Sequence, residues 1–281
     1  MNSPILFLVR RLYQRYTHHD VSHQAAALAY FLLFSLFPIL ILVSRLIGTL
    51  DLSGFLVSLR HILPERVLAL AENYLFYASE HTNSSLLWFS AVFSVWFPMR
   101  ATDCLMHAVR RAYALAEPRH PVIHRLKVLL YTTLLLLSLS LTALVAVLSR
   151  NIVSTLTAYL GLPGGFPQIW GILRFAILGL IVFGALTILY ATAQDHRVFL
   201  TEILPGAALS TLAWISLSAV YSFYTKFFAN YDLVYGALST VAIVLIWLYL
   251  SAVALIMGAE LNAALASVPR RKDRPQKGDS P

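Results

Sequence analysis

The feature that most constrains this chain is a series of apolar windows, each about twenty residues long. A helix needs about 20 mostly apolar residues to cross the hydrocarbon core of a bilayer, which is about 30 Å thick. Such windows predict six spans, at residues 25–47, 86–108, 128–149, 172–193, 203–225 and 236–262. Barrel strands would alternate apolar and polar residues, and these windows do not. We therefore expect an all-α, polytopic membrane bundle of six transmembrane helices.

Composition supports this fold class. The chain is 59% apolar and only 12% charged, whereas a soluble domain is about half apolar and a quarter charged. The single cysteine, Cys104, has no partner for an intramolecular disulfide. These figures exclude a disordered chain, a coiled coil and a disulfide-rich scaffold.

The basic residues predict an orientation. With six spans, both termini share one side, and 15 of the 21 Lys and Arg residues fall on that side. Short loops rich in Lys and Arg stay in the cytoplasm, so both termini are expected there. The net charge of +8 is concentrated at membrane ends, which favours anionic lipids over nucleic acid as partners. Candidate headgroup contacts are Arg10, Arg11, Arg110 and Arg111.

The chain divides into three parts. Residues 1–24 form a cytoplasmic N-terminal segment with a short interfacial helix at about 4–16, residues 25–266 form the membrane domain, and residues 267–281 form a disordered basic tail. The first outside loop is the longest, at about 48–85. Pro64 and Glu65 suggest the start of a helix there, and the residues that follow predict an amphipathic helix.

Ionisable groups inside the spans are the strongest functional signal, because each costs about 2.5–3.5 kcal/mol on insertion scales. Arg100, Asp103, His107 and Arg110 recur at i, i+3, i+7 and i+10, which predicts that all four share one face of the second span. Glu260 and Asn262 approach the same depth in the sixth span. One interpretation is a polar cavity on an ion or substrate pathway, with Arg100, Asp103, His107, Glu260 and Asn262 as the candidate residues. The other is that Arg100 pairs with Asp103 or Glu260 and simply joins helices.

Two prolines fall inside spans and predict helix kinks. Pro38 lies in the first span and Pro98 in the second, shortly before Arg100. Proline removes one backbone donor and so frees a carbonyl of the preceding turn. Kinked helices beside charged groups fit a bundle that forms a cavity, although proline is common in membrane helices generally.

No pattern in the sequence predicts a cofactor or a metal ion. A metal site is superficially suggested by His18, His19 and His23. However, a zinc site needs three or four ligands and further residues that hydrogen-bond to those ligands and orient them. We interpret the three histidines as interfacial residues near headgroups. The sequence also lacks a nucleophile elbow, a phosphate loop, HExxH and GxGxxG. The chain is therefore not expected to be an enzyme.

Several short motifs together resemble the YihY/BrkB family of bacterial inner-membrane proteins. The matching motifs run in order over about residues 15–267: Ala25–Tyr30, Ser35–Pro38, Arg110–Tyr113, Leu204–Ala207, Tyr235–Leu238, Trp247–Ser251 and Gly258–Ala263. The chain departs from the family pattern at Arg110, where many members carry Asn, and at Gln194, where many carry Pro. The resemblance implies a six-span protein of the bacterial inner membrane.

What the resemblance implies about activity is less specific. The family has carried a ribonuclease BN label, a serum-resistance label and suggestions of transport, including movement of lipid or lipopolysaccharide precursors. We expect a transporter or a lipid translocase, with a non-transporting scaffold or resistance factor that binds anionic lipid or a protein as the alternative. A nuclease is disfavoured because the cytoplasmic loops offer only the widely spaced Glu117, Asp195 and Glu202. The sequence leaves the substrate and the oligomeric state open.

Overall fold

The structure is a computed structural model that describes residues 4–47, 69, 84–116, 120–147, 166–194, 199–227 and 237–267. These residues form seven helices and no strand. In chain order they are α1 (Pro4–His18), α2 (Val21–Ile47), α3 (Ser84–Ala112), α4 (Pro121–Val147), α5 (Phe166–Thr192), α6 (Leu200–Phe227) and α7 (Ala237–Ala266).

The six long helices pack as a closed ring. Each helix from α2 to α7 packs against its neighbours in the chain, and α7 returns to pack against α2. Further contacts cross the ring, from α3 to α5 and from α3 to α7. The short helix α1 lies against α2 and α7. We call the end of the bundle near α1 the α1 end; it contains the starts of α2, α4 and α6 and the last turns of α3, α5 and α7.

The polarity of the bundle is that of a membrane protein. Large apolar side chains such as Trp88, Leu130 and Leu212 are exposed on its outer surface. On a soluble protein such residues are exposed singly, and large apolar patches mark an interaction site or a membrane-facing surface. Small polar side chains lie inside instead. For example, the Tyr190 hydroxyl donates to the carbonyl of Leu255 at 2.6 Å and lies 2.9 Å from Ser210 Oγ. Such hydrogen bonds help to hold the helices together, because helix association within lipid has no hydrophobic driving force.

Four of the described helices are long and apolar enough to cross a membrane. Their apolar segments are Val21–Ile41, Pro121–Ser138, Leu200–Tyr221 and Val241–Ala266, and α5 carries a shorter one, Ala176–Thr192. The all-α prediction is thereby confirmed for the described residues, and each predicted window overlaps one long helix. The amphipathic helix predicted after Pro64 and nearly all of the predicted tail lie outside the described residues.

Both predicted kink prolines lie inside continuous helices. α2 contains Pro38 and α3 contains Pro98. Neither proline has an N–H, so the carbonyls of Phe34 and Ser94, four residues earlier, lack their usual helical donor. Both helices continue past the missing hydrogen bond.

α6 and α7 cross at very close range, which two glycines permit. A Cβ atom built on Gly258 would lie 2.6 Å from the backbone oxygen of Gly206 and would overlap Ser210 Oγ. Small residues let helix backbones approach in this way in membranes. The same crossing brings the last two turns of α7, with Glu260 and Asn262, into the α1 end.

Candidate functional site

A buried carboxylate lies at the junction of α1, α2 and α7. Glu260 is only 1% exposed, and both of its oxygens have partners: Arg15 Nη1 lies 2.8 Å from Oε2 and His19 Nδ1 lies 2.5 Å from Oε1. Arg15 Nη1 also donates to the carbonyl of Ala112, at 2.9 Å, in the last turn of α3. We call Arg15, His19 and Glu260 the Glu260 cluster. A charge removed from water is tolerable only when paired in this way.

The local sequence explains how α1 and the turn after it each supply one partner. Arg11, Arg15 and His19 are spaced four residues apart, so they share one side of the chain that faces α7. Arg11 Nη2 extends this contact by donating to Ser267 Oγ at 2.7 Å. The chain then turns at Asp20, whose φ of 55° lies in the left-handed region that Asp tolerates better than most residues. This turn separates α1 from α2.

The remaining sides of α1 carry exposed apolar and basic residues. Leu6, Val9 and Tyr13 are each more than half exposed, and Arg10 is exposed as well. Leu6, Val9 and Tyr13 recur at helical spacing, so they form one apolar stripe. α1 is therefore an amphipathic helix whose polar stripe is bound to the bundle and whose apolar stripe is exposed.

A second histidine–carboxylate group lies between α3 and α4. Asp103 Oδ1 lies 2.7 Å from His124 Nε2 and 3.5 Å from His107 Nε2. Arg100 Nη1 lies 3.5 Å from the other oxygen, Oδ2, and the Arg100 guanidinium lies over the Phe31 ring. We call Arg100, Asp103, His107 and His124 the Asp103 cluster. It is more open than the Glu260 cluster, since the Asp103 side chain is 25% exposed and that of His107 is 47% exposed.

Asn262 belongs to neither cluster. Its side-chain Oδ1 accepts from the backbone N–H of Gly206 at 2.6 Å, and its Nδ2 donates to the carbonyl of Ile203 at 2.8 Å. Pro205 interrupts the hydrogen-bond ladder of α6 at this point. Asn262 thus holds α7 to the first turns of α6, with both ends of its buried amide satisfied.

The predicted pathway residues therefore fall into three groups. Arg100, Asp103 and His107 lie together on α3, as their spacing indicates. Arg110, predicted on the same face, is buried and bound to the carbonyl of Ala193 instead. Glu260 contacts α1 and the turn before α2 instead of this face of α3, and Asn262 contacts α6. Of the two pairings proposed for Arg100, the structure shows the one with Asp103, which lies on the same helix and joins no two helices.

The predicted headgroup contacts also differ from one another. Arg10 and Arg111 are exposed, and Arg11 is bound to Ser267. Arg110 is only 5% exposed, and its guanidinium donates to the carbonyls of Ala193, at 3.1 Å, and Ala116, at 2.5 Å. The helix turns Arg110 towards α5 inside the ring, so this side chain caps carbonyls and is not presented to a headgroup.

Sequence reasoning missed three members of the clusters. Arg15 was counted only for its charge, and His19 was interpreted as an interfacial histidine. The four-residue spacing of Arg11, Arg15 and His19 indicates that they share one side of the chain, and this signal could have identified them. His124 was not singled out, although the short connection between α3 and α4 makes these helices antiparallel neighbours and brings the start of α4 beside the end of α3.

Together, the outward apolar surface, the inward polar groups and the spanning helices define an integral helical membrane protein. Comparison with known proteins then identifies its family. Residues 12–281 match the family described as Virulence factor BrkB, and the chain belongs to this BrkB family.

Relatives of similar length have two kinds of name. A Bacillus subtilis protein named "Putative ribonuclease-like protein YfkH" is 30% identical over 259 residues, which cover 92% of this chain and 94% of that protein. A Coxiella burnetii protein named "UPF0761 membrane protein" is 26% identical over 265 residues, covering 92% of this chain and 93% of that protein. No solved structure matches the chain.

Proposed function

We propose that the protein crosses the bacterial inner membrane six times, with both termini in the cytoplasm. Six long helices support the span count, and the excess of Lys and Arg on the side of the termini supports the orientation. In this arrangement the α1 end faces the cytoplasm. α1 then lies at the membrane surface, with its apolar stripe in the acyl boundary and Arg10 among the headgroups.

We further propose that the protein is a transporter that translocates an anionic lipid, such as an envelope precursor. The burial of the Glu260 carboxylate among groups contributed by α1 and the turn after it is the observation that carries this proposal. A buried ion pair is often no more stable than a well-packed apolar replacement. A pair that costs desolvation without a gain in stability suggests a role in which its partners are exchanged.

The chemistry of the cluster indicates what the exchange partner would be. A guanidinium and an imidazole that hold a carboxylate can also hold a phosphate, because Arg binds both with charge-assisted hydrogen bonds. A lipid phosphate that reaches Arg15 and His19 would displace the Glu260 carboxylate. α1 would then lose its link to α7 at Glu260 while keeping the one from Arg11 to Ser267. The apolar stripe of α1 provides a surface for the acyl chains.

Reconstitution into liposomes tests the proposal. Fluorescent phosphatidylglycerol and phosphatidylcholine report headgroup-selective movement between leaflets, with wild type, Arg15→Gln and Glu260→Gln proteins. Selective movement of the anionic lipid that falls at least tenfold in Arg15→Gln is expected. Arg125→Gln is the matched control, because it removes one exposed basic side chain on α4 and should keep the wild-type rate.

Two other outcomes would overturn the proposal. One is equal, slow movement of both lipids with all of the proteins, combined with recovery of a stoichiometric protein partner by cross-linking. This result would favour a scaffold. RNA cleavage by the purified protein that a chelator abolishes would favour the activity named for the Bacillus subtilis relative over our proposal that the chain is not an enzyme.

A further inference from the structure

The Asp103 cluster contains a ligand set that the sequence alone did not reveal. The ligand atoms of Asp103, His107 and His124 all lie within 4.8 Å of one another. Both histidines present Nε2 to the same carboxylate oxygen, Oδ1 of Asp103. The residues come from two helices, with Asp103 and His107 one turn apart on α3 and His124 in the first turn of α4.

We propose that Asp103, His107 and His124 bind a divalent transition-metal ion of the Zn²⁺ class. Two imidazoles and one carboxylate are the three-ligand set of many sites that keep an open coordination position. Mg²⁺ and Ca²⁺ prefer oxygen ligands alone, so two imidazole nitrogens select against them. The proposal concerns a site separate from the Glu260 cluster and does not depend on the transport proposal.

The distances are close to those that coordination requires. Zn–N bonds are about 2.0–2.1 Å long, so two ligand atoms in a tetrahedral site lie about 3.3 Å apart. The separation of His107 Nε2 from Asp103 Oδ1 is already 3.5 Å. The separation of His124 Nε2 from the same oxygen is 2.7 Å, which must open by roughly 0.6 Å. A rotation of one side chain supplies such a change without moving either helix.

The surroundings leave room for the ion. The His124 side chain is 13% exposed and that of His107 is 47% exposed, so the site is closed on the α4 side and open on the other. An entering ion and a fourth ligand can use the open side. The Arg100 guanidinium faces Oδ2 and leaves Oδ1 to the histidines. Its positive charge opposes the ion, but the guanidinium lies 3.5 Å from Oδ2, on the far oxygen of the carboxylate.

Metal binding to the full-length protein in detergent tests the inference. The protein is purified through a tag without histidine, treated with a chelator, and titrated with ZnCl₂ by calorimetry; metal content is then measured by mass spectrometry. We expect one ion per chain and a raised thermal transition, since a ligand that binds the folded state stabilises it. CoCl₂ gives an independent readout through the visible absorption of a Co²⁺ ion with nitrogen and oxygen ligands.

Three variants and two matched controls make the test specific. His107→Gln alters a half-exposed side chain and should preserve the fold, while His124→Gln and Asp103→Asn alter the other ligands. Each should weaken Zn²⁺ binding at least tenfold. His120→Gln, on the same hairpin, and His23→Gln, in the other histidine-rich segment, should bind as wild type. No binding by the wild type, or equal binding by wild type and His107→Gln, would overturn the inference.

Discussion

The two carboxylate clusters of the α1 end use the same residue types in opposite settings. Glu260 is buried at the junction of α1, α2 and α7, with an arginine from α1 and a histidine from the turn after it. Asp103 lies on the more open α3–α4 side, with an arginine and a histidine from its own helix and a second histidine from α4. Burial is therefore what distinguishes them. It makes the Glu260 pairing energetically critical, whereas the more exposed Asp103 pairing is expected to cost less to break.

The largest effect is expected when Glu260 loses its arginine. Arg15→Gln leaves a buried carboxylate with only His19 as partner, and breaking such a pair costs about 3–5 kcal/mol. Unfolding in mixed detergent micelles measures the loss. The double variant Arg15→Gln with Glu260→Gln should recover a large part of it, because no unpaired charge remains. A double variant as unstable as Arg15→Gln would contradict the assigned role of the pair.

Stability should also be sensitive to substitution at the close crossing of α6 and α7. Gly258→Ala forces a methyl group against Ser210 and the Gly206 backbone, and overpacking of this kind costs about 1–3 kcal/mol. Gly184→Ala is the control, because a Cβ there meets nothing within 4 Å. It should leave stability unchanged or raise it slightly. Equal losses in the two variants, measured by thermal unfolding, would argue against the close approach of α6 and α7.

On the α3–α4 side, removal of the Asp103 charge should change the stability of the protein little when no metal is added. Asp103→Asn keeps a side-chain oxygen near His124 and removes partly exposed ion pairs, which are worth at most about 1 kcal/mol. The same thermal unfolding measurement applies, after treatment with a chelator. A loss as large as that of Arg15→Gln would show that the two clusters do not differ as burial indicates.

The smallest effect is expected at the end of α3, where a substitution should raise stability instead of lowering it. Ala114 has a φ of 52°, and the N–H groups of Ala114 and Leu115 cap the carbonyls of Arg111 and Arg110 in a Schellman motif. Glycine adopts this conformation without strain, so Ala114→Gly should stabilise the protein by about 0.5–1 kcal/mol. Ala116→Gly, just beyond the motif, is a suitable control. A lower unfolding temperature for Ala114→Gly would contradict the assigned conformation.

The sequence predicted the elements well and the contacts between them poorly. Long apolar runs dictate helices in lipid regardless of their partners, so all six long helices and the short α1 were found. The face shared by Arg100, Asp103 and His107 followed from spacing along one helix. The partners of Glu260 did not, because they depend on where α1 lies against α7, and no local pattern specifies that position.

Two buried residues show the same limit. Arg110 was interpreted as a headgroup contact from its position at a membrane end, yet it lies inside the ring and donates to Ala193 and Ala116. Asn262 was placed on a pathway because it is polar, yet it fastens α7 to α6. Which side of a helix faces inward at its last turn depends on the helix packing, and charge alone does not reveal it.

Native mass spectrometry of the purified protein tests the central claim most directly. The claim is that Glu260 competes with an anionic headgroup for Arg15 and His19. Wild type, Arg15→Gln, Glu260→Gln and the control Arg125→Gln are compared for the anionic lipid that remains bound. The account predicts less of this lipid on Arg15→Gln and more on Glu260→Gln, with the control unchanged. The same lipid content on all four proteins would contradict it.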